Sequence, residues 1–282
     1  MTVFWKTGPL GVAAATVQQV AFVFISLTVL FPFYYMLVNA LKTRDDYAFD
    51  RVGFPPDVTF GNFSRLFDET PILTWYLNSV VLTGASVILS VAVAALAAYA
   101  FARFEFRGGT LLYRLLISLL VVPPIVLVMP LFVLAVRLGV VNTRAAAVVV
   151  YVGILLPFSI FLLTSFFRTI PRELIDAARI DGASTLGILV RIVLPLSAPA
   201  LVTLAIVNAL WVWNELLIAL VLLQDEGLRT LQVGVAQFRS RFDVDIPVMM
   251  AGLVLASWPA IVAYVVGQRY FTRGLLAGSL RG

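Results

Sequence analysis

LNSVVLTGASVILSVAVAALAAYAFA, residues 77–102, runs for 26 positions without a charged side chain. Crossing a hydrocarbon core about 30 Å thick takes about 20 apolar residues in a helix. Lipid offers no partner to free backbone N–H and C=O groups, so a run this long and apolar must satisfy them within itself, as a helix. Five further runs are as apolar, 17–38, 115–136, 145–167, 200–223 and 248–266, and of these 200–223 alone holds a charged residue, Glu215. The fold class that follows is all-α, a polytopic membrane helical bundle of about six transmembrane helices. The first run is too long for the core of a cleaved signal, and its small residues at 13–15 precede the apolar stretch instead of following it. It is expected to stay as an anchor.

The composition agrees. Of 282 residues, 61% are hydrophobic and 12% charged, too little polar surface to coat a soluble core, which argues against a soluble enzyme. Neither Cys nor His occurs, so disulfides, thiolate or imidazole metal sites, Cys or His nucleophiles and histidine proton relays are all excluded. The only lysines are Lys6 and Lys42, and neither follows glycine, so the phosphate-cradling G-x-x-x-x-G-K-[ST] loop is absent. No catalytic residue, metal or cofactor is expected, and no basic cluster is dense enough for nucleic acid.

Between the runs, residues 42–75 are polar and turn-rich and carry Asp45, Asp46, Asp50, Asp57, Asp68 and Glu69, which reads as an ordered loop. Residues 168–199 form a long amphipathic connector, 224–247 a polar loop and 268–282 a basic tail. Three segments follow: 1–72, anchor and polar loop; 73–267, transmembrane domain; 268–282, tail. With the amino terminus inside, eleven Lys and Arg fall inside and nine outside, and the inside ones lie closer to the span ends, so that orientation is favoured.

Glu215 is the only acid within an apolar run, whereas an ion-coupled carrier needs several buried ionisable groups. At 3.6 residues per turn Asn208, Trp211 and Glu215 share a helix face, with Asn214 one position off it. Two readings stay open. The stripe lines a path for a polar substrate such as a sugar, whose hydroxyls bond amide and carboxylate groups and whose faces stack on indole. Alternatively it is hydrogen-bonding glue between helices beside an interfacial tryptophan, with Glu215 snorkelling outward.

In the long connector, Pro171 at a first helical position, acids in the opening turns and Gly182 as left-handed terminator outline a helix of about three turns. A second helix restarts at Ser184 or Thr185 and runs to Pro195. Leu174, Ala177, Ala178 and Asp181 share a face of the first, small and acidic where a membrane-resting helix is bulky and basic, which fits a protein cleft.

Asp176-Ala177-Ala178, three residues, Gly182, nine residues, then Ile192-Val193-Leu194-Pro195 resembles the EAA loop of ABC importer permeases, with Asp in place of the usual Glu. Pro32 to Leu37, Tyr76-Leu77-Asn78-Ser79, Ala97 to Phe104, Trp213-Asn214-Glu215 and the tail from Gln268 resemble the carbohydrate importers, and among them the second permease subunit of maltose-type systems. Arg281 stands where members often carry lysine. The resemblance implies a type I ABC importer permease fold in a bacterial inner membrane, both termini cytoplasmic. Its implied partners are a second permease subunit, two ATPase subunits that hydrolyse ATP, an extracytoplasmic sugar-binding protein facing the 224–247 loop, and a carbohydrate substrate. It assigns ATPase coupling to Glu173, Asp176, Ala177, Ala178, Asp181 and Gly182. A permease for glycerol phosphate or another non-sugar solute is the nearest alternative, a stand-alone secondary carrier a remoter one.

Overall fold

A computed structural model describes residues 9–238 and 245–279, so Lys6 and Arg281 lie outside the described residues. Among those residues there are helices and no strand. They are α1 (Pro9–Ala40), α2 (Arg44–Phe49), α3 (Gly61–Glu69), α4 (Ile72–Arg103), α5 (Gly109–Val121), α6 (Pro124–Arg137), α7 (Arg144–Phe167), α8 (Arg172–Ile180), α9 (Thr185–Leu196), α10 (Ala198–Asn214), α11 (Leu217–Leu222), α12 (Leu231–Ala236) and α13 (Ile246–Ser279).

Four helices, α1, α4, α7 and α13, are long and apolar enough to cross a membrane singly. The expected six are reached only by counting two bent pairs, α5 with α6 and α9 with α10, turned by 102° and 79°. The third apolar run is therefore not one rod. Pro123 and Pro124 interrupt it, because a residue before proline is driven out of the helical region, and Pro123 itself sits extended at ψ 131°. In α9 a π-turn over Leu189–Val193 precedes Pro195, which lacks the N–H needed to continue the ladder. The fifth run also breaks: α10 stops at Asn214, Glu215 takes an extended conformation, and α11 begins at Leu217.

The described chain divides into two compact units. One comprises residues up to Thr70 with Phe238–Leu255, the other Pro71–Gln237 with the chain from Ala256. The second unit is built on α4, α7 and α10, each of which buries a residue at every fourth position. On α4 these are Leu82, Ser86, Ser90, Ala94 and Ala98; on α7 Leu155, Ser159, Leu163 and Phe167; on α10 Ala200, Leu204, Asn208 and Val212. Every-fourth-residue ridges are the surfaces along which helices interlock, and serine and alanine on the α4 ridge let backbones approach closely in lipid, where apolar area alone does not drive association. Helix α8 joins this core through Ile175 and Ala178.

In the first unit the polar segment after α1 is held by side chains bonded to backbone. Asn62 Nδ2 donates to the carbonyls of Ala40 and Lys42, both at 2.8 Å, and the buried Lys42 Nζ donates to Asp50 O at 2.7 Å. Asp50 Oδ1 accepts from the N–H groups of Val52 and Gly53, and the Gly53 and Val52 bonds pull its carboxyl below the usual carboxylate range. Arg65 on α3 donates to the buried Asp245 at 2.6 Å and to Glu69 at 3.1 Å, and those carboxylates, Asp245 foremost, push its pKa further up. Removing the arginine strands a buried charge. Arg65→Ala is expected to cost about 2 kcal/mol, and Arg65→Ala/Asp245→Ala less than the single change. Thermal melts of the purified assembly check the order of the two.

Candidate functional site

The connector expected to couple begins where α7 ends. Extended Pro171 occupies the N-cap, one position earlier than its expected place inside the helix, and Glu173 sits in the first turn against the positive helix end. The far end closes through a Schellman arrangement: Ala183 N–H bonds Ala178 O at 2.9 Å, and Gly182 N–H bonds Arg179 O at 3.0 Å. Gly182 has φ +81°, the left-handed backbone expected of a terminator. Ser184 then caps α9, its hydroxyl accepting from Gly187 N–H at 3.1 Å.

The expected docking face needs one correction. Leu174, Ala177 and Asp181 are exposed together, but Ala178 turns inward with Ile175 and packs in the transmembrane core. A helix of nine residues has one inward face, and at positions 175 and 178 that face belongs to the bundle. The outward face instead gains Ile180, 86% exposed, and Leu186 beyond the turn, 60% exposed. Asp176 is exposed beside Arg179 at 3.6 Å, an ion pair too loose and wet to fix much. Arg103, at the end of α4, donates from Nη2 to Phe167 O at 2.5 Å and Ile170 O at 2.7 Å. It thereby ties the end of α4 to the carbonyls that lead into α8. Neither Ile180 nor Arg103 is singled out by sequence spacing; a lone apolar residue at a helix end and an arginine ending an apolar run are each common.

The polar stripe splits in two. Asn208 is buried, and its Nδ2 donates to Ser90 Oγ at 3.2 Å on α4 and Ser159 Oγ at 3.0 Å on α7. It is glue between helices. Trp211, Asn214 and Glu215 instead line one open cleft of about 660 Å³ together with Pro124, Val207 and Leu210. Glu215 does not snorkel. Its Oε1 accepts from Ile218 N–H at 2.8 Å, and its Oε2 accepts from Ala219 N–H at 3.1 Å and from Tyr151 O–H at 3.0 Å. The carboxylate caps α11 at the break in the fifth run, a charge-assisted set of bonds that keeps an acid tolerable there. Tyr151 also meets Trp211 edge to face at 6.1 Å. It lies on a different run with no periodic relation to the stripe, which hides it from a reading of the sequence.

The Tyr76 to Ser79 stretch anchors the polar loop at the opposite end of α4 from Arg103. Asn78 Nδ2 donates to Gly227 O and Arg229 O, both at 2.9 Å, while its Oδ1 accepts from Arg144 at 2.7 Å. Ser79 Oγ accepts from Leu231 N–H, and Trp75 Nε1 donates to Glu226 O at 3.0 Å. A Cβ on Gly234 would fall 2.1 Å from the Trp75 ring, so only glycine lets α12 lie against it. At about 1.5 Å per residue, Asn78 and Arg103 stand about 38 Å apart along α4.

The two halves of the stripe separate by experiment. Asn208→Ala is expected to lower bundle stability by about 1 kcal/mol through loss of two interhelical bonds. Asn214→Ala, which removes an exposed amide in the open cleft, should leave the melting temperature within experimental scatter while changing transport. Melting curves and uptake on the same preparations check both.

A family model described as "Binding-protein-dependent transport system inner membrane component" matches residues 88–276. The chain is 39% identical over 265 residues to the putative ABC transporter permease protein ORF2 of Caldicellulosiruptor sp., covering 93% of this chain and 96% of that one. It is 36% identical over 252 residues to the melibiose/raffinose/stachyose import permease protein MelC of Bacillus subtilis, covering 89% and 91%. To the trehalose/maltose transport system permease protein MalG of Thermococcus litoralis it is 36% identical over 266 residues, covering 92% and 94%. Among solved structures, a chain of a bacterial ABC transporter involved in the import of the acidic polysaccharide alginate superposes with a TM-score of 0.85 at 25% identity, over 96% of this chain and all of that one. The chain belongs to the family of binding-protein-dependent transport system inner membrane components, the membrane-spanning permeases of ABC transporters.

Proposed function

We propose that this permease serves an ATP-driven importer of carbohydrates, pairs with a second permease subunit, and couples through α8 to one of two ATPase subunits. The observation that carries the reading is the layout of α4. One end holds the coupling segment through Arg103, the other holds the loop at 226–231 through Asn78 and Ser79, and a membrane's thickness of helix lies between. Two surfaces on opposite sides of a bilayer, joined by one rigid rod, suit an importer that takes substrate from a binding protein on one side and force from an ATPase on the other.

On this reading residues 73–267 carry translocation and coupling, and residues 1–72 supply the anchor and an extracytoplasmic loop. The connector bearing Glu173, Asp176, Ala177, Asp181 and Gly182 faces the cytoplasm, as do both termini. Ala178 seats the helix on the bundle instead of touching the ATPase. A carbohydrate substrate is supported by the relatives, which are named for oligosaccharides and disaccharides, and by the cleft itself. A half-buried indole that opens on the cleft beside an amide and a carboxylate can stack on a sugar face and bond its hydroxyls.

The coupling role is tested at Gly182 and Asp176. A side chain at φ +81° costs about 1 kcal/mol or more in left-handed strain, yet the space around Gly182 within this chain is open, so the bundle itself is not disturbed. Gly182→Val and Asp176→Lys are expected to insert and fold normally, to retain less ATPase subunit in detergent pull-downs, and to abolish sugar uptake with binding-protein affinity unchanged. Normal ATPase retention together with normal uptake in both variants contradicts the coupling assignment.

A further inference from the structure

Apart from the cleft at Trp211, the second unit contains a larger cavity of about 1250 Å³, walled by the end of α4, the turn after it, α5 and α8. Its chemistry is divided along its length. Arg103, Arg114, Arg168, Arg172 and Arg179 line it, with only Glu105 and Asp176 to offset them. Arg168 lies over the ring of Tyr113 at 5.2 Å, and Tyr113 in turn packs on Phe101 at 5.4 Å, so this guanidinium is held in place at the cavity wall. Arg114 and Arg172 have no hydrogen bond or ion pair among the described residues. Arg103 keeps a buried Nε without a partner.

From Gly109 the cavity follows α5 through Ile117 to Val121, about 18 Å along a helix that forms half of a bent membrane span. Val121 is 83% exposed. The far wall is thus apolar and open, at Ile117 and Val121 on a helix pair apolar enough to span a membrane, while the near wall carries guanidinium forks, the side chains best shaped to clasp phosphate oxygens. A soluble phosphate would use one end alone. An amphiphile with an anionic head uses both.

We propose that this cavity is a binding site for an anionic phospholipid such as phosphatidylglycerol or cardiolipin. The phosphate sits among Arg114, Arg168 and Arg172, and an acyl chain lies along Ile117 and Val121. Basic pockets between transmembrane helices at the membrane surface recognise lipid phosphates in this manner, with each arginine adding to the affinity. The site goes beyond the import reading and does not depend on it, since it requires neither a sugar nor a particular ATPase contact.

The test uses the complete transporter purified in mild detergent, with co-purifying lipid quantified by mass spectrometry as the ratio of anionic to zwitterionic species. Arg114 and Arg172 have no hydrogen-bond or ion-pair partner among the described residues to lose, so Arg114→Gln and Arg114→Gln/Arg172→Gln are expected to assemble normally. The single change is expected to lower the ratio about fivefold and the pair about 25-fold. Arg137→Gln, an exposed arginine at the end of α6, removes the same charge elsewhere and should leave the ratio unchanged. Because Arg114 lies on α5 and not on α8, the single variant stays informative even if the pair disturbs subunit attachment. Equal ratios in wild type and Arg114→Gln, as expected if another subunit fills the cavity, overturn the proposal. So does saturable binding of inorganic phosphate by calorimetry in neutral-lipid nanodiscs that disappears in the paired variant, which would assign the cavity to a soluble phosphate compound.

Discussion

One buried amide ties the membrane bundle together. Asn208 donates to a serine on α4 and to another on α7, so three helices meet at a single polar point within their interlocking ridges. In hydrocarbon, apolar area does not hold helices together as it does in water, and close backbone approach with a few satisfied hydrogen bonds takes over. The α4 ridge of Ser86, Ser90, Ala94 and Ala98 supplies the approach, and Asn208 fixes the register in which the ridges meet. A slip by one turn along any of the three helices would leave that amide unpaired in a medium where an unsatisfied donor is costly.

Fixing α4 in this way has consequences at both of its ends. Arg103 gathers the last carbonyls of α7 and of the turn before Pro171, so the direction in which α8 leaves the bundle is set by α4 and not by a free linker. Asn78, Ser79 and Trp75 do the same for the loop at 226–231. Bonded and packed in this way, α8 is joined to the core without a free linker on its α7 side, which is the mechanical condition that the proposed coupling requires. The rods bend instead at the proline-flanked pairs, α5 with α6 and α9 with α10.

Much of this was legible in the residues. Long apolar runs locate the spans because lipid enforces helices, and Pro171, Gly182 and Ser184 mark the two short helices of the connector because each has a backbone reason to stand at a helix end. Three things were hidden, each for a physical cause. Hydropathy sums composition and not direction, so it reads straight through Pro123-Pro124 and through Glu215, where the chain turns. Helical spacing places Asn208 and Glu215 on one face but assumes one continuous helix, and α10 ends between them. The inward turn of Ala178 depends on which side of α8 meets the bundle, a tertiary fact that a nine-residue pattern with apolar residues on both sides does not encode.

On the proposed reading the outward edge of α8, with Ile180 at its tip, seats in the ATPase subunit and moves with it. The chain contains no cysteine, so Ile180→Cys introduces the single thiol of this subunit, and the partner subunits are used with their own cysteines replaced. Paired with single cysteines placed along the ATPase subunit's surface groove in the assembled transporter, it should form a disulfide at one confined set of positions, with uptake blocked when oxidised and restored on reduction. Absence of any adduct, or an adduct that leaves transport running at its normal rate, rules out that seating.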